Sequence, residues 1–267
     1  MSAYELDHVA FAVPSWASAG PAVNQKLGAR WVSGFDQGVF SPCQLALADD
    51  MRLELLAPAN DGSGFIAEFL AKNGGLPKAH HITFKVKDIH AGIAAARTAG
   101  IRPILENTDH ELWKEVFLHP KDTGLGFLVQ LVESPLALDG NDEFSMGNQH
   151  SVPWDESGIP PVRLDFVYGR ISDVGLATRA LGQVLGAKIT ELPGRIHCLK
   201  FSWDHGAELV LDVGDERIRP SLDVLVVTAA DQPAAPDLDA RLLESLRTTV
   251  GAMPELGIGL LELQAAY

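Results

Sequence analysis

One interval recurs along this chain, and it restricts the fold more than any other feature. The segments LDHVAFAV (Leu6 to Val13) and HHITFKV (His80 to Val86) share a pattern: a polar residue, a histidine, then an apolar run. His8 and His81 stand 73 positions apart, and Gly28 and Gly100, which close the helices that follow, stand 72 apart. A second interval, of 158 positions, relates Leu6 to Leu164, Asp7 to Asp165, Leu27 to Leu185 and Gly28 to Gly186. Offsets held constant across a strand and the far end of its helix mark duplication. A repeat of this kind decides an architecture before local propensity does.

Each copy reads as strand, helix, then three strands. In the first, LDHVAFAV stops at Pro14, Ser15 caps a helix through Leu27, and ARWVSG, VFSPCQLALADD and MRLELLAP alternate as strands. An amphipathic helix in SGFIAEFLAKNGG leads to the second copy, whose helix DIHAGIAAARTAG has Asp88 as N-cap. Its strands are RPILEN, KEVFLHP and LGFLVQLVE. The third copy begins at VRLDFVYG and the fourth at SLDVLVV. The fourth is abbreviated, with 39 positions between Asp223 and Glu262 against 49 between His81 and Gln130, so its intermediate hairpin is lost or shortened. The sequence therefore predicts an α+β chain of tandem βαβββ modules paired into two domains, residues 1–136 and 161–267. A turn-rich linker, 137–160, joins them.

Charge and composition remove several function classes. A net charge of −14 argues against a nucleic-acid surface, which needs clustered Lys and Arg. No stretch approaches eighteen uninterrupted apolar residues, and the first residues lack a basic segment and a cleavage site. Cys43 and Cys198 lie far apart in apolar contexts, outside any CxxC. These features predict a soluble, cytoplasmic protein without a membrane or nucleic-acid partner, acting on a small molecule as a monomer or homodimer.

Superposing the first two copies places His8 on His81, Asp7 on His80, and Glu54 of RLELLAP on Gln130 of FLVQLVE. A lone histidine at a strand start is ordinarily a hydrogen-bonded core or edge residue. Two histidines and two oxygen-bearing side chains at equivalent positions of two copies are a different observation. Strand alternation predicts that only one of His80 and His81 points inward, leaving His80 on the opposite face or behind a ligand.

That constellation resembles the vicinal oxygen chelate superfamily (glyoxalase, bleomycin resistance, dioxygenase). LDHVAFAVP, LELLAPANDGSGFIAEFLAKNGG, HHITFKVKDI, FLHPKDTG and FLVQLVE follow its pattern in order over roughly residues 5–136, most like methylmalonyl-CoA epimerase-like and glyoxalase-like members. The resemblance implies cupped mixed sheets whose first and last strands supply divalent-metal ligands: His8, Glu54, His81 and Gln130. Two imidazoles, a carboxylate and an amide carbonyl suit one ion such as Co, Ni, Mn, Zn or Fe. Residues 162–267 resemble a second, degenerate pair. There Phe166 replaces the first histidine, Asp223 loosely matches the second, and Glu208 and Glu262 take the places of Glu54 and Gln130. This half is expected to be structural, standing in for a partner subunit or roofing the first cup.

The implied reaction is metal-dependent isomerisation, epimerisation or lyase chemistry on a small carbonyl or thioester substrate, through an enolate held by the metal. Gln130 and Gln44 stand where the epimerases carry bases, which leaves Glu54 as ligand and candidate catalytic base. Trp113, Lys114 and Glu115 are candidates for the cup mouth, Lys114 and Lys121 for meeting an anion, and His119 for touching ligand. His90 and His110 read as solvated. Two alternatives stay open: a non-haem Fe(II) dioxygenase of the same fold, and a metal-free protein that sequesters a small molecule.

Overall fold

The computed structural model describes residues 4–135, 151–192, 198–213, 219–233, 240–248 and 253–263. The first half contains β1 (Tyr4–Ala12), α1 (Trp16–Leu27), β2 (Arg30–Gly34), β3 (Phe40–Ala46), β4 (Arg52–Pro58), α2 (Phe65–Lys72) and β5 (Lys78–Val86). It continues through α3 (Ile89–Thr98), β6 (Pro103–Asn107), β7 (Lys114–Leu118), α4 (Pro120–Thr123) and β8 (Leu128–Glu133). The second half opens with β9 (Val162–Ile171) and α5 (Val174–Ala177), which runs on as a π-helical segment, Thr178–Val184. Then come β10 (Lys188–Glu191), β11 (Cys198–Ser202), β12 (Glu208–Val213), β13 (Ser221–Ala229), α6 (Ala240–Thr248) and β14 (Gly259–Leu263).

Local chemistry places these elements. Ser15 accepts a hydrogen bond from the Ser18 amide and opens α1, and Asp88 does the same for Ala91 at the start of α3. Gly28 ends α1 in the left-handed region at φ 61°. A Cβ there would also lie 2.2 Å from the Pro160 carbonyl oxygen, so the same glycine admits the incoming second half.

The strands form two mixed sheets. The first has the order β2-β3-β4-β1-β5-β8-β7-β6, with β1 and β5 antiparallel at its centre, β1 parallel to β4, and β5 parallel to β8. Swapping the two modules maps this order onto itself. The second sheet, β10-β11-β12-β9-β13-β14, has the same centre. Among the described residues its fourth module has no counterpart of β6 and β7, as the shortened spacing led one to expect.

Side-chain alternation sends one face of each sheet into a common core. Val9, Phe11, Leu53, Ile82, Phe84 and Val129 of the first sheet join Val167, Leu209, Leu211 and Leu225 of the second in one continuous core. The ring of Phe84 lies 4.7 Å from that of Trp203 across this junction, and the Ala48 amide donates to the Val162 carbonyl at 3.0 Å. The other face of the first sheet is partly covered by Ile66 and Leu70 of α2 and otherwise opens as a cup. Part of the expected linker, 137–150, lies outside the described residues. From residue 151 the chain runs along α1, where Trp154 meets the Trp31 ring at 5.4 Å and the Ser157 amide donates to Asn24 Oδ1 at 2.6 Å.

Candidate metal centre

The centre of each sheet is irregular at two positions, and these aim the site. Between β1 and β5, Leu6 faces Phe84 but His8 faces Thr83, so Asp7 is an extra residue. Two rungs on, Ala10 faces His81 while Phe11 faces Ala79, which makes His80 extra. A β-bulge of this kind breaks alternation and turns neighbouring side chains to one side. His80 and His81 consequently both line the cup, contrary to the alternation expectation that placed His80 on the opposite face.

Each bulged residue grips the histidine that follows it. Asp7 Oδ2 lies 2.7 Å from His8 Nδ1, and Asp7 Oδ1 accepts from the Arg52 guanidinium at 2.9 Å. On the other module, His80 Nδ1 lies 2.8 Å from His81 Nδ1. With both Nδ1 atoms engaged, the two Nε2 atoms turn to Glu54, 3.6 Å and 3.5 Å from its Oε2. Those Nε2 atoms are buried without a hydrogen-bond partner. Ligand-capable atoms of His8, Glu54 and His81 all lie within 4.8 Å of one another. Orphaned imidazole nitrogens are costly to bury, and two imidazoles and a carboxylate converging just beyond hydrogen-bond length are a donor set that would suit a divalent ion.

Electrostatics differ between the two imidazoles. Burial opposes a charge on His8, but Glu54 and Asp7 outweigh it and lift its pKa to about 9. Burial holds His81 well below the usual histidine range, with His80 and His8 acting in the same direction. Burial likewise pulls His80 down to about 4. Burial also works to raise Asp7, yet the hydrogen bond to His8 and the charges of His8 and Arg52 keep it low.

Gln130 lies on the cup floor next to these groups. Its Oε1 accepts from the Thr83 hydroxyl at 2.7 Å, which uses one of two lone pairs, and its Nε2 donates to Glu115 Oε2 at 2.7 Å. Glu115 also accepts from the Trp113 indole at 3.1 Å. Burial raises the Glu115 carboxyl, with the Glu54 charge adding to the effect and the Trp113 and Gln130 bonds opposing it. The sequence singled out Glu115 for the mouth and gave it no chemical role; it is the cup's second carboxylate. Gln44, opposite Glu54 in the β3–β4 pairing, also faces the cup, with its Oε1 buried and unpartnered.

The cup encloses about 440 Å³. Trp113 and Glu115 line it, whereas Lys114 turns away to Glu133 at 2.6 Å and Lys121 is not among the lining residues. His119 caps α4 outside the cup. His110, read from sequence as a solvated loop residue, sits at the rim, where its Nδ1 accepts from the amides of Leu112 and Trp113.

The sequence of residues 7–117 matches the family described as the Glyoxalase/Bleomycin resistance protein/Dioxygenase superfamily. Those residues carry a domain of that superfamily, and they make up less than half of the chain. Solved structures similar to it include methylmalonyl-CoA epimerase from Mycobacterium tuberculosis, 29% identical over 49% of this chain and 89% of that one, with a TM-score of 0.44. A variant Streptomyces coelicolor methylmalonyl-CoA epimerase in complex with 2-nitronate-propionyl-CoA is 25% identical over 50% and 96%, with a TM-score of 0.43. A xylose isomerase-like TIM barrel/4-hydroxyphenylpyruvate dioxygenase fusion protein is 16% identical, covers 86% of this chain and 37% of its own, and reaches a TM-score of 0.58, a likeness of fold across both halves. No match was found among curated proteins.

The second pair of modules repeats the two bulges but not the ligands. Its extra residues are Asp165 and Asp223, the counterparts of Asp7 and His80. Asp223 therefore corresponds to His80, and Val224 takes the place of His81. Strand pairing likewise puts Val210, not Glu208, at the Glu54 position, and Leu261, not Glu262, at the Gln130 position. Glu208 instead pairs with Lys200 at 3.1 Å, and Asp223 with Arg170 at 2.6 Å. Phe166, Val210 and Val224 belong to an apolar cluster with Leu243 and Leu246 of α6, and Leu261 packs against it. That cluster fills the second concavity. Among the described residues, those lining the first cup all come from positions 33–130, so no described residue of the second half roofs it.

Proposed function

We propose that the chain is a divalent-metal-dependent isomerase or lyase that moves a proton next to the carbonyl of a small substrate. One observation carries the reading: two buried imidazole nitrogens that lack a hydrogen-bond partner converge on Glu54 at the floor of a cup that holds a second carboxylate, Glu115. His8, Glu54, His81 and Gln130 would hold the ion. Bound there, a divalent ion supplies Lewis-acid stabilisation of the oxyanion that forms when the adjacent carbon loses its proton.

The remaining chemistry falls to the chain's own residues. Glu54 serves as ligand, because its oxygen is the point on which both imidazoles converge. Glu115 takes the role of proton carrier; burial raises its carboxyl toward the pKa a general base needs near neutrality. Gln44, with its partnerless Oε1, accepts a hydrogen bond from a substrate hydroxyl. With one carboxylate committed to the ion and one to the proton, one-base isomerisation or elimination fits better than epimerisation, which needs a base on each face. Among the described residues no helix is long and apolar enough to cross a membrane.

The test is solvent exchange. Protein reconstituted in turn with Co, Ni, Mn, Zn and Fe should wash deuterium from D₂O into the carbon next to the carbonyl of α-hydroxyketones, read by NMR. Glu115→Gln should abolish exchange while metal content stays at that of the wild type. Stoichiometric metal with no exchange for any substrate and any ion would reject the reading. Two histidines and one carboxylate also match a non-haem Fe(II) set. Selective iron retention with substrate-dependent oxygen uptake would move the assignment to a dioxygenase.

A further inference from the structure

Above the ligands the cup is walled by rings. Phe35, Phe40, Phe65, Trp113 and Phe117 line it, with Phe40 and Phe65 edge-to-face at 5.1 Å and Phe117 set edgewise against His81 at 5.5 Å. The mouth carries Phe65, 47% exposed, and Leu105, 70% exposed. Leu105 stands at φ 53°, in the irregular stretch where the β6–β7 pairing jumps from Ile104–Phe117 to Asn107–Glu115. A leucine at positive φ is strained, and one left in water contributes nothing to the core, so the conformation holds an apolar side chain at the entrance at a net cost to folding.

Among the described residues no Lys or Arg lines the cup, while Glu54 and Glu115 do. Two carboxylates together offset the whole charge of a divalent ion, which leaves no surplus positive potential for a second anionic group on a ligand. Such a group would be desolvated against aromatic walls without a counter-ion, and that is expensive.

We infer that the cup takes an uncharged carbonyl compound bearing a flat apolar arm, of the aryl hydroxyketone class, and rejects counterparts with a carboxylate or phosphate on that arm. The inference deepens the proposed carbonyl chemistry and rests on it for the chelating end of the ligand; the arm is read from the walls alone.

Three probes share one chelating end: α-hydroxyacetophenone, its para-methyl analogue and its para-carboxy analogue. Their binding is measured by calorimetry and intrinsic tryptophan fluorescence on metal-loaded and on metal-free protein, with metal content and solvent exchange recorded in parallel. The two neutral probes should bind within about threefold of each other, and the carboxylate at least about tenfold more weakly, as expected for an uncompensated like charge. Glu115→Gln should shrink that gap, and Leu105→Ser should weaken the neutral probes while sparing metal content. Equal or tighter binding of the carboxylate overturns the inference, as does failure of both neutral probes to bind either form. Neutral preference in protein that holds no metal and exchanges no proton would uphold this inference while rejecting the metal reading.

Discussion

The Nδ1 atoms of His80 and His81 lie 2.8 Å apart, so one must donate and the other accept. If the Nε2 atom of His81 is to meet a cation it carries no proton, so Nδ1–H of His81 donates and His80 is the acceptor. The opposite module solves the same problem with a carboxylate, Asp7 against His8. Partners of this kind fix ring orientation and ligand basicity, and losing one weakens metal binding by about 10–100-fold. His80→Leu should therefore lower metal affinity within that range, and His80→Asp should restore or exceed it. Competition with a calibrated chelator reads both. An unchanged affinity in His80→Leu would leave His80 a mere lining residue.

The candidate ligands should not be equivalent. His8→Ala and His81→Ala each remove a nitrogen for which no other group is placed, and elemental analysis should find the metal lost from both. Gln130→Ala removes a weaker neutral donor, and it also frees Glu115 and Thr83. Affinity should fall less there, by about tenfold, the lower end of what an amide or hydrogen-bonding partner contributes. Full metal retention in the double histidine variant would refute the site.

Proton linkage gives the metal-free protein a pH signature. His8 titrates near 9 in the fold against 6.5 for an ordinary histidine, so the folded state holds that proton more tightly. The resulting stability is complete below about pH 6.5 and is lost as pH rises through 9. His80 titrates near 4, so the unfolded chain protonates first; its contribution is complete above about pH 6.5 and is lost as pH falls through 4. Urea midpoints should peak between these limbs. His8→Gln should flatten the alkaline limb and His80→Phe the acid one. Because a ligating His8 must release its proton, metal affinity should also climb with pH until about 9. An alkaline limb that survives in His8→Gln would show that another group causes it.

Buried residues of both halves belong to one continuous core, which predicts that the halves unfold together. Gly206, at φ 86°, would place a Cβ 2.3 Å from the Leu6 carbonyl oxygen, across the junction. Gly206→Val should cost at least about 2 kcal/mol, as backbone strain and overpacking do when neither side can yield. Both halves should melt together at the lower temperature, with Trp203 fluorescence and metal release in step. Two separated transitions would mean that the junction is not cooperative.

Repetition made most of this legible. The offsets between His8 and His81 and between Gly28 and Gly186 survive because the copies carry the same bulges in their central strands, and Ser15 and Asp88 announce their helices by ordinary capping. Convergence of His8, Glu54 and His81 followed from the same superposition. Bulges did not show. One extra residue leaves the apolar content of a strand unchanged, so nothing in the sequence placed His80 on the same side as His81. In the second pair the true counterparts, Val210, Val224 and Leu261, look like any core residue, and nearby Glu208, Asp223 and Glu262 drew the assignment away by one or two positions. Glu115 needed the pairing of β7 with β8 before it could be seen beside Gln130.

The filled second concavity has a consequence for how the chain tolerates change. Around His8 and Glu54 a substitution is judged by chemistry, and an isosteric exchange of carboxylate for amide is severe. Around Phe166 and Val210 the same geometric positions are judged by volume alone, so aliphatic exchanges of similar size should pass freely there. A saturation-mutagenesis map of the two cups, laid one on the other through their shared bulges, would read as one scaffold under two unrelated sets of constraints.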